Sequence, residues 1–170
     1  LTWGLVTKHV AVQSNGTWTA NFANTEVPAD ASTTLTATVA DLAGNTATPV
    51  SKAVVVDTTP PTISIVTPLT SGAGVALDAD TILNVAERNA INTAGKWTVT
   101  GTTDAEAGQV VTLTFNNKTY SGTVAAGHWS IDVAAADVLA LDHGNTYGLS
   151  VSVADAAGNT ATPSTTSLAV

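Results

Sequence analysis

The sequence predicts an all-β chain of tandem antiparallel β-sandwich modules, the first of them truncated. Three observations lead there. The string VADLAGNTATP that begins at Val39 returns as VADAAGNTATP from Val153, with ten of eleven residues matching at an offset of 114. An internal repeat of this kind marks an array of copies of one module. Val and Thr are abundant while charged residues make up only 11%, a composition that favours pleated, half-buried strands. Short alternating segments are separated at regular spacing by Gly, Asn, Asp and Pro, as in a sandwich of many short strands.

The elements follow in order. The apolar runs AVVV (53–56) and ISIV (63–66) flank DTTPPT (57–62). Each proline fixes its own φ and restricts the residue before it, so 57–62 reads as a short stiff joint and a domain boundary. Residues 57–170 are predicted as one complete module, with 63–68 as its first strand. An insertion over 71–95 contains Asp78, Asp80 and Glu87, with Asp80 expected to cap a short helical turn. KWTVTGT (96–102) and VVTLTF (110–115) alternate as strands. Asn116-Asn117 is a hairpin turn leading into 119–124. Residues 129–133 form the next strand, the Ala-rich 134–141 a helical turn, and 147–154 another strand. Asp155 to Asn159 turn the chain into a last strand over 165–170. In residues 1–56, Trp18 lines up with Trp129, Asn45 with Asn159 and Leu1 with Leu113. That copy therefore holds only the C-terminal strands, and a sandwich so shortened leaves an open edge and an uncovered apolar face. Its missing half lies outside this chain or comes from another chain.

Composition removes several functions. Cysteine is absent, which excludes thiol catalysis, disulfide redox chemistry and Cys-ligated zinc. Five basic residues stand against 13 acidic ones, a formal charge of −8. Nucleic-acid binding requires clustered Lys and Arg, whereas Lys8, Lys52, Arg88, Lys96 and Lys118 are scattered. No run of 18 apolar residues predicts a membrane-spanning helix, and no leader-like segment opens the sequence. No nucleophile elbow or phosphate loop is present, so an enzyme is not expected. His9, His128 and His143 lie in unlike contexts and read as surface or loop residues. Asn15-Gly16-Thr17 and Asn117-Lys118-Thr119 match the glycosylation acceptor pattern but sit where hairpin turns favour Asn anyway.

Carboxylates are the candidate functional groups. The turn D-x-A-G-N-T-A occurs at 41–47 and 155–161. Its Asp bonds turn amides and is at the same time a candidate calcium ligand. In an immunoglobulin-like strand order, the loop with Asp104 and Glu106 and the loop with Asp155 lie at the module's N-terminal end, where Asp57 enters. Crowded carboxylates repel unless a cation neutralises them, and Ca²⁺ takes 6–8 oxygen ligands. Asp78, Asp80 and Glu87 form a second acidic group at the opposite end, read either as a solvated loop with a helix cap or as half of a site shared with a following repeat. Trp18 and Trp129 share a repeat slot and are expected in the core, an exposed sugar-stacking platform being the alternative.

The segments VVVDTTPPTISI, DADTILNVAE, TGTTDAEAGQVVTLTF, GHWSIDV and SVADAAGNTATP together resemble the bacterial Ig-like repeats of giant secreted adhesins of the RTX, type I-exported kind. The resemblance covers 57–170 fully and 1–56 in part. It implies a structural extender repeat in a stalk at the bacterial cell surface, serving biofilm formation or host contact. Its partners would be neighbouring repeats of the same polypeptide. It also implies Ca²⁺ at module junctions, with Asp57, Asp104 and Asp155 as ligands and Asp80 and Glu87 as further ones. The competing expectation is a carbohydrate-binding accessory module of a secreted hydrolase.

Overall fold

The computed structural model describes residues 1–66 and 81–170 and divides the chain into two compact units, Leu1–Thr59 and Pro60–Val170. The division falls inside the proline-rich 57–62 stretch.

In the first unit four strands form one antiparallel sheet: β1 (Thr2–Trp3), β2 (Val6–Thr7), β3 (Ala31–Ala37) and β4 (Val50–Val56), in the order β2-β1-β3-β4. The second unit holds β5 (Ile63–Ile65), α1 (Val85–Ala94), β6 (Lys96–Thr103), β7 (Val110–Phe115), β8 (Lys118–Thr123), β9 (His128–Ala134), α2 (Ala135–Leu139), β10 (Thr146–Val153) and β11 (Ser164–Ala169). Its strands make two antiparallel sheets, β11-β10-β7-β8 and β5-β6-β9. This is the all-β antiparallel sandwich that the alternation predicts. The period of two drives it: Trp129, Ile131 and Val133 of β9 are buried while their neighbours are exposed, and Leu149, Val151 and Val153 repeat the pattern on β10. The inward residues of both sheets join in one core around Trp97, Phe115, Leu113 and Ile131. Trp97 meets Phe115 edge to face with ring centroids 5.6 Å apart.

Turn chemistry sets the registers. Asn116 and Asn117 both take positive φ, 45° and 58°, the backbone of a two-residue hairpin whose twist matches that of its strands. Helix α1 differs from the sequence expectation. Its N-cap is Asn84, not Asp80, which lies outside the described residues. Asn84 Oδ1 accepts from Glu87 N at 3.0 Å, and Glu87 Oε2 accepts from Asn84 N at 2.7 Å. This reciprocal pair satisfies two amides that the first turn leaves without helical partners. Gly95, left-handed at φ 73°, ends the helix.

The first unit reproduces one sheet of the second residue by residue. Trp3 faces Leu35 as Phe115 faces Leu149, and Thr2 faces Thr36 as Thr114 faces Ser150. Thr2 pairs with Thr7 as Thr114 pairs with Thr119. The order β2-β1-β3-β4 is thus the counterpart of β8-β7-β10-β11. A brace recurs as well. Lys8 pairs with Glu26 of a short 3-10 turn (Asn24–Glu26), and Lys118 pairs with Asp137 of α2. The Tyr120 hydroxyl also donates to Asp137; burial, then this bond, pushes its pKa up to about 12.

The first unit forms no counterpart of the β5-β6-β9 sheet. The stretch at 17–23, equivalent to the start of β9, is not a strand. Trp18, expected in the core from its repeat slot, is 44% exposed, whereas Trp129 is 3% exposed. Val12 and Val39 are 52% and 51% exposed against 3% for each of their counterparts, Val124 and Val153. The reason is topological. A strand at the β9 position is held by a β6 partner, and residues 1–56 contain no such segment.

Candidate functional site

The acidic end of the second unit is built from two loops. The β6–β7 loop carries Asp104 and Glu106. Asp104 Oδ1 accepts from Thr62 N at 2.6 Å, tying the entry of β5 to the exit of β6. The backbone N–H of Thr62, with its side chain, holds the Asp104 carboxyl below the ordinary carboxylate range. Thr103 reinforces the same corner: its hydroxyl donates to Thr62 O at 2.6 Å and accepts from Ala105 N at 3.1 Å.

The β10–β11 loop carries Asp155, which is buried. Its Oδ1 accepts from Asn159 N at 2.8 Å and its Oδ2 from Asn159 Nδ2 at 2.9 Å. Asp155 N in turn donates to Asn159 O at 3.0 Å, and Gly158 adopts φ 94° to close the loop. Burial raises the Asp155 pKa, but the bonds from Asn159 and the neighbouring amides outweigh it and leave it lowered. Asp41 makes the same closed turn in the first unit. It accepts from Asn45 N and Asn45 Nδ2 at 2.8 Å each, with Gly44 at φ 90°. Forming this turn is therefore a property of the motif in both units.

The two loops meet. Glu106 Oε2 accepts from Ala156 N at 3.0 Å, which brings three carboxylates, Asp104, Glu106 and Asp155, to one end of the unit. Asp57 belongs to the first unit, where it accepts from Thr59 N at 3.2 Å. Asp30, which sequence reasoning did not single out, accepts from the hydroxyls of Thr58 and Thr59 at 2.7 and 2.6 Å. Those bonds, Thr59 first, lower its pKa. The only sequence signal for Asp30 is its place just before β3, whose first residue Ala31 faces Val56. Glu87 lies at the start of α1, in the capping pair described above. The preceding Leu83 donates to Ala169 O at 2.7 Å, and Ala169 faces Thr146, the first residue of β10. Glu87 is thus placed at the end of the sandwich opposite Asp155. Asp78 and Asp80 lie outside the described residues.

Among the described residues, no three His, Asp or Glu side chains are grouped as a metal-holding cluster. The donors present are hard oxygens of the type calcium prefers. A carboxylate oxygen that accepts one amide bond keeps a further lone pair, so the turn bonds of Asp104 and Asp155 are compatible with ligation.

These hydrogen bonds carry a pH signature. A carboxylate whose folded pKa is depressed contributes its stability fully above the unfolded value, about 3.9. That contribution is lost as pH falls through the lower folded value. Asp104 and Asp155 are both of this kind. The urea midpoint of the second unit is expected to drop as pH falls below about 4, and Asp155→Asn is expected to flatten the drop. An identical pH profile in that variant refutes the assignment.

The profile of the family described as Bacterial Ig-like domain (group 3) matches residues 16–167. No curated protein sequence matches the chain. Among solved structures, one similar chain is a Ca²⁺-stabilised adhesin that helps an Antarctic bacterium bind ice. It is 32% identical over 94% of this chain, with a TM-score of 0.49. A second belongs to a 1.5-MDa bacterial ice-binding adhesin, 34% identical over 81% of this chain and 40% of its own, TM-score 0.41. A third is an immunoglobulin-like domain of the M. primoryensis ice-binding adhesin, 34% identical over 64% of this chain and 92% of its own, TM-score 0.38. The chain spans 36% of the length of the first of these.

Proposed function

We propose that this chain, which belongs to the bacterial Ig-like domain family (group 3), is a non-enzymatic extender segment of a bacterial cell-surface adhesin. The observation that carries this reading is duplication. The same sheet occurs twice in one chain with the same register and the same closing turn. Copies of one supersecondary unit in series add length and leave no single place for a reaction centre. None of the described helices is long and apolar enough to cross a membrane. The stiff Pro60-Pro61 pair suits a short spacer between modules.

The proposal includes calcium. Asp57, Asp104 and Asp155 are its ligands at the 57–62 joint, and Asp80 and Glu87 serve a following repeat. Bound ion restricts hinge motion of the joint, which is the contribution to a stalk in biofilm formation or host contact. A similar adhesin is calcium-stabilised, and the oxygen-only donor set supports the same choice here.

Small-angle scattering in millimolar calcium and in excess chelator tests this. Chelation is expected to broaden the pair-distance distribution, and Asp57→Asn and Asp104→Asn are expected to abolish the difference. Calcium at about 100 times its Kd also adds about 2.7 kcal/mol of stability by mass action. Superimposable scattering curves and an unmoved thermal midpoint would overturn the calcium part.

A further inference from the structure

The acceptor pattern Asn-x-Thr occurs at Asn15-Gly16-Thr17 and at Asn117-Lys118-Thr119, and the fold treats the two differently. Asn15 sits in a turn closed by its own backbone. Gln13 N donates to Thr17 O and Gly16 N to Gln13 O, each at 2.9 Å. Asn15 and Gly16 hold the repeat slots of Ala126 and Gly127, and the two glycines share a left-handed backbone, φ 80° and 77°. Residues 125–128 are all exposed in the second unit, as 14–17 are in the first. The turn therefore stands at the surface of a module with both sheets as well as one with a single sheet.

The chemistry of Asn15 is set inside that turn. Its Oδ1 accepts from Thr17 N at 3.0 Å and from the Thr17 hydroxyl at 2.7 Å. A backbone N–H only donates, so the atom facing Thr17 is the amide oxygen, and Nδ2 is left free of that contact. An amide nitrogen becomes a nucleophile by losing a proton, and the negative charge then moves onto the amide oxygen. Two donors already aimed at Oδ1 stabilise that charge, as an oxyanion hole does. The turn also opposes the competing loss of ammonia from Asn-Gly, in which the glycine nitrogen attacks Cγ, because Gly16 N–H is held on Gln13 O. Asn117 is placed otherwise. It takes φ 58° at a hairpin tip, Lys118 is paired with Asp137, and Thr119 lies in β8 opposite Thr114. An enzyme that wraps this tripeptide must first peel β8 from β7.

We propose that Asn15 is an asparagine-linked glycosylation site that takes its sugar from a glycosyl diphosphate donor. Nδ2 attacks the anomeric carbon, and the bond from that carbon to the diphosphate oxygen breaks. The diphosphate leaves with the electron pair, and a base of the transferase takes the Nδ2 proton. A soluble nucleotide sugar and a polyprenyl-linked glycan offer this same chemistry. The modification requires no cation and stands apart from both the calcium and the extender proposals.

The test uses the folded full chain in two arms that separate the donors. One supplies UDP-glucose with a soluble asparagine glucosyltransferase, the other a polyprenyl-diphosphate oligosaccharide with a membrane oligosaccharyltransferase. Peptide mass spectrometry then reads each asparagine. Sugar is expected on Asn15 in at least one arm and absent from Asn117. A synthetic peptide of residues 112–124 is expected to be glycosylated at Asn117 in the same arm, since no sheet withholds it. Thr17→Val is expected to abolish the modification and Thr17→Ser to retain it. Thr17 is exposed and its hydroxyl bonds to Asn15, so neither variant threatens the fold. An Asn15 that stays bare in both arms, or is only converted to Asp, overturns the proposal. Equal modification of Asn117 in the folded chain does so too.

Discussion

Gly101→Val is expected to remove about 3 kcal/mol or more from the stability of the second unit. An ideal Cβ at this position stands 2.0 Å from Ser64 O and 2.2 and 2.4 Å from the Trp129 ring. Ser64 O is backbone, held in the ladder by the pairing of β5 with β6, so it cannot swing aside as a long side chain would. Relief requires β5 to leave the sheet or the indole to leave the core. Gly101→Ala is expected to suffer nearly as much, because the clash begins at the first carbon. Small domains have only about 5–15 kcal/mol in hand, so the loss should be plain in urea denaturation. A cost below about 1 kcal/mol for both variants would mean that β5 is not seated on Gly101.

The second large effect is a contrast between two residues in one repeat slot. Trp129→Ala is expected to cost about 3–5 kcal/mol, the range for deleting a fully packed aromatic side chain. Trp18→Ala is expected to cost about 1 kcal/mol or less, since its ring is 44% exposed. The indole N–H of Trp129 has no partner among the described residues, so its contribution is packing rather than hydrogen bonding. Equal costs for the two would show that the first unit buries its tryptophan after all. The contrast also separates sequence equivalence from structural equivalence, which a repeat alone cannot do.

Much of the second unit was legible because its information is local. Alternation marked the strands at 96–102 and 110–115, Asn116-Asn117 marked a hairpin, and Asp155 to Asn159 marked the last turn. Helix α1 was legible only as a short helical turn: Asn84 and Gly95 mark its ends, but the Asp-rich stretch before it drew the cap to Asp80. What the sequence did not disclose depends on partners distant in the chain. Trp18 holds the same repeat slot as Trp129, two residues after a turn glycine, and a different environment, because a β6 strand covers one and none covers the other. Glu106 reaches the amide of Ala156 across 50 residues, and Asp30 gathers Thr58 and Thr59 across 28 and 29. Such contacts are decided by topology. Loop residues read only by their own flanks carry no trace of them.

The carboxylate of the D-x-A-G-N turn bonds within the turn: every bond of the Asp41 and Asp155 carboxylates described above ends within four residues. It keeps its shape whether the surrounding sheet is covered, as around Asp155, or bare, as around Asp41. A corner whose carboxylate finds its partners locally can be moved as a cassette. Grafted between two strands of an unrelated antiparallel sheet, those few residues carry their own folding instructions with them.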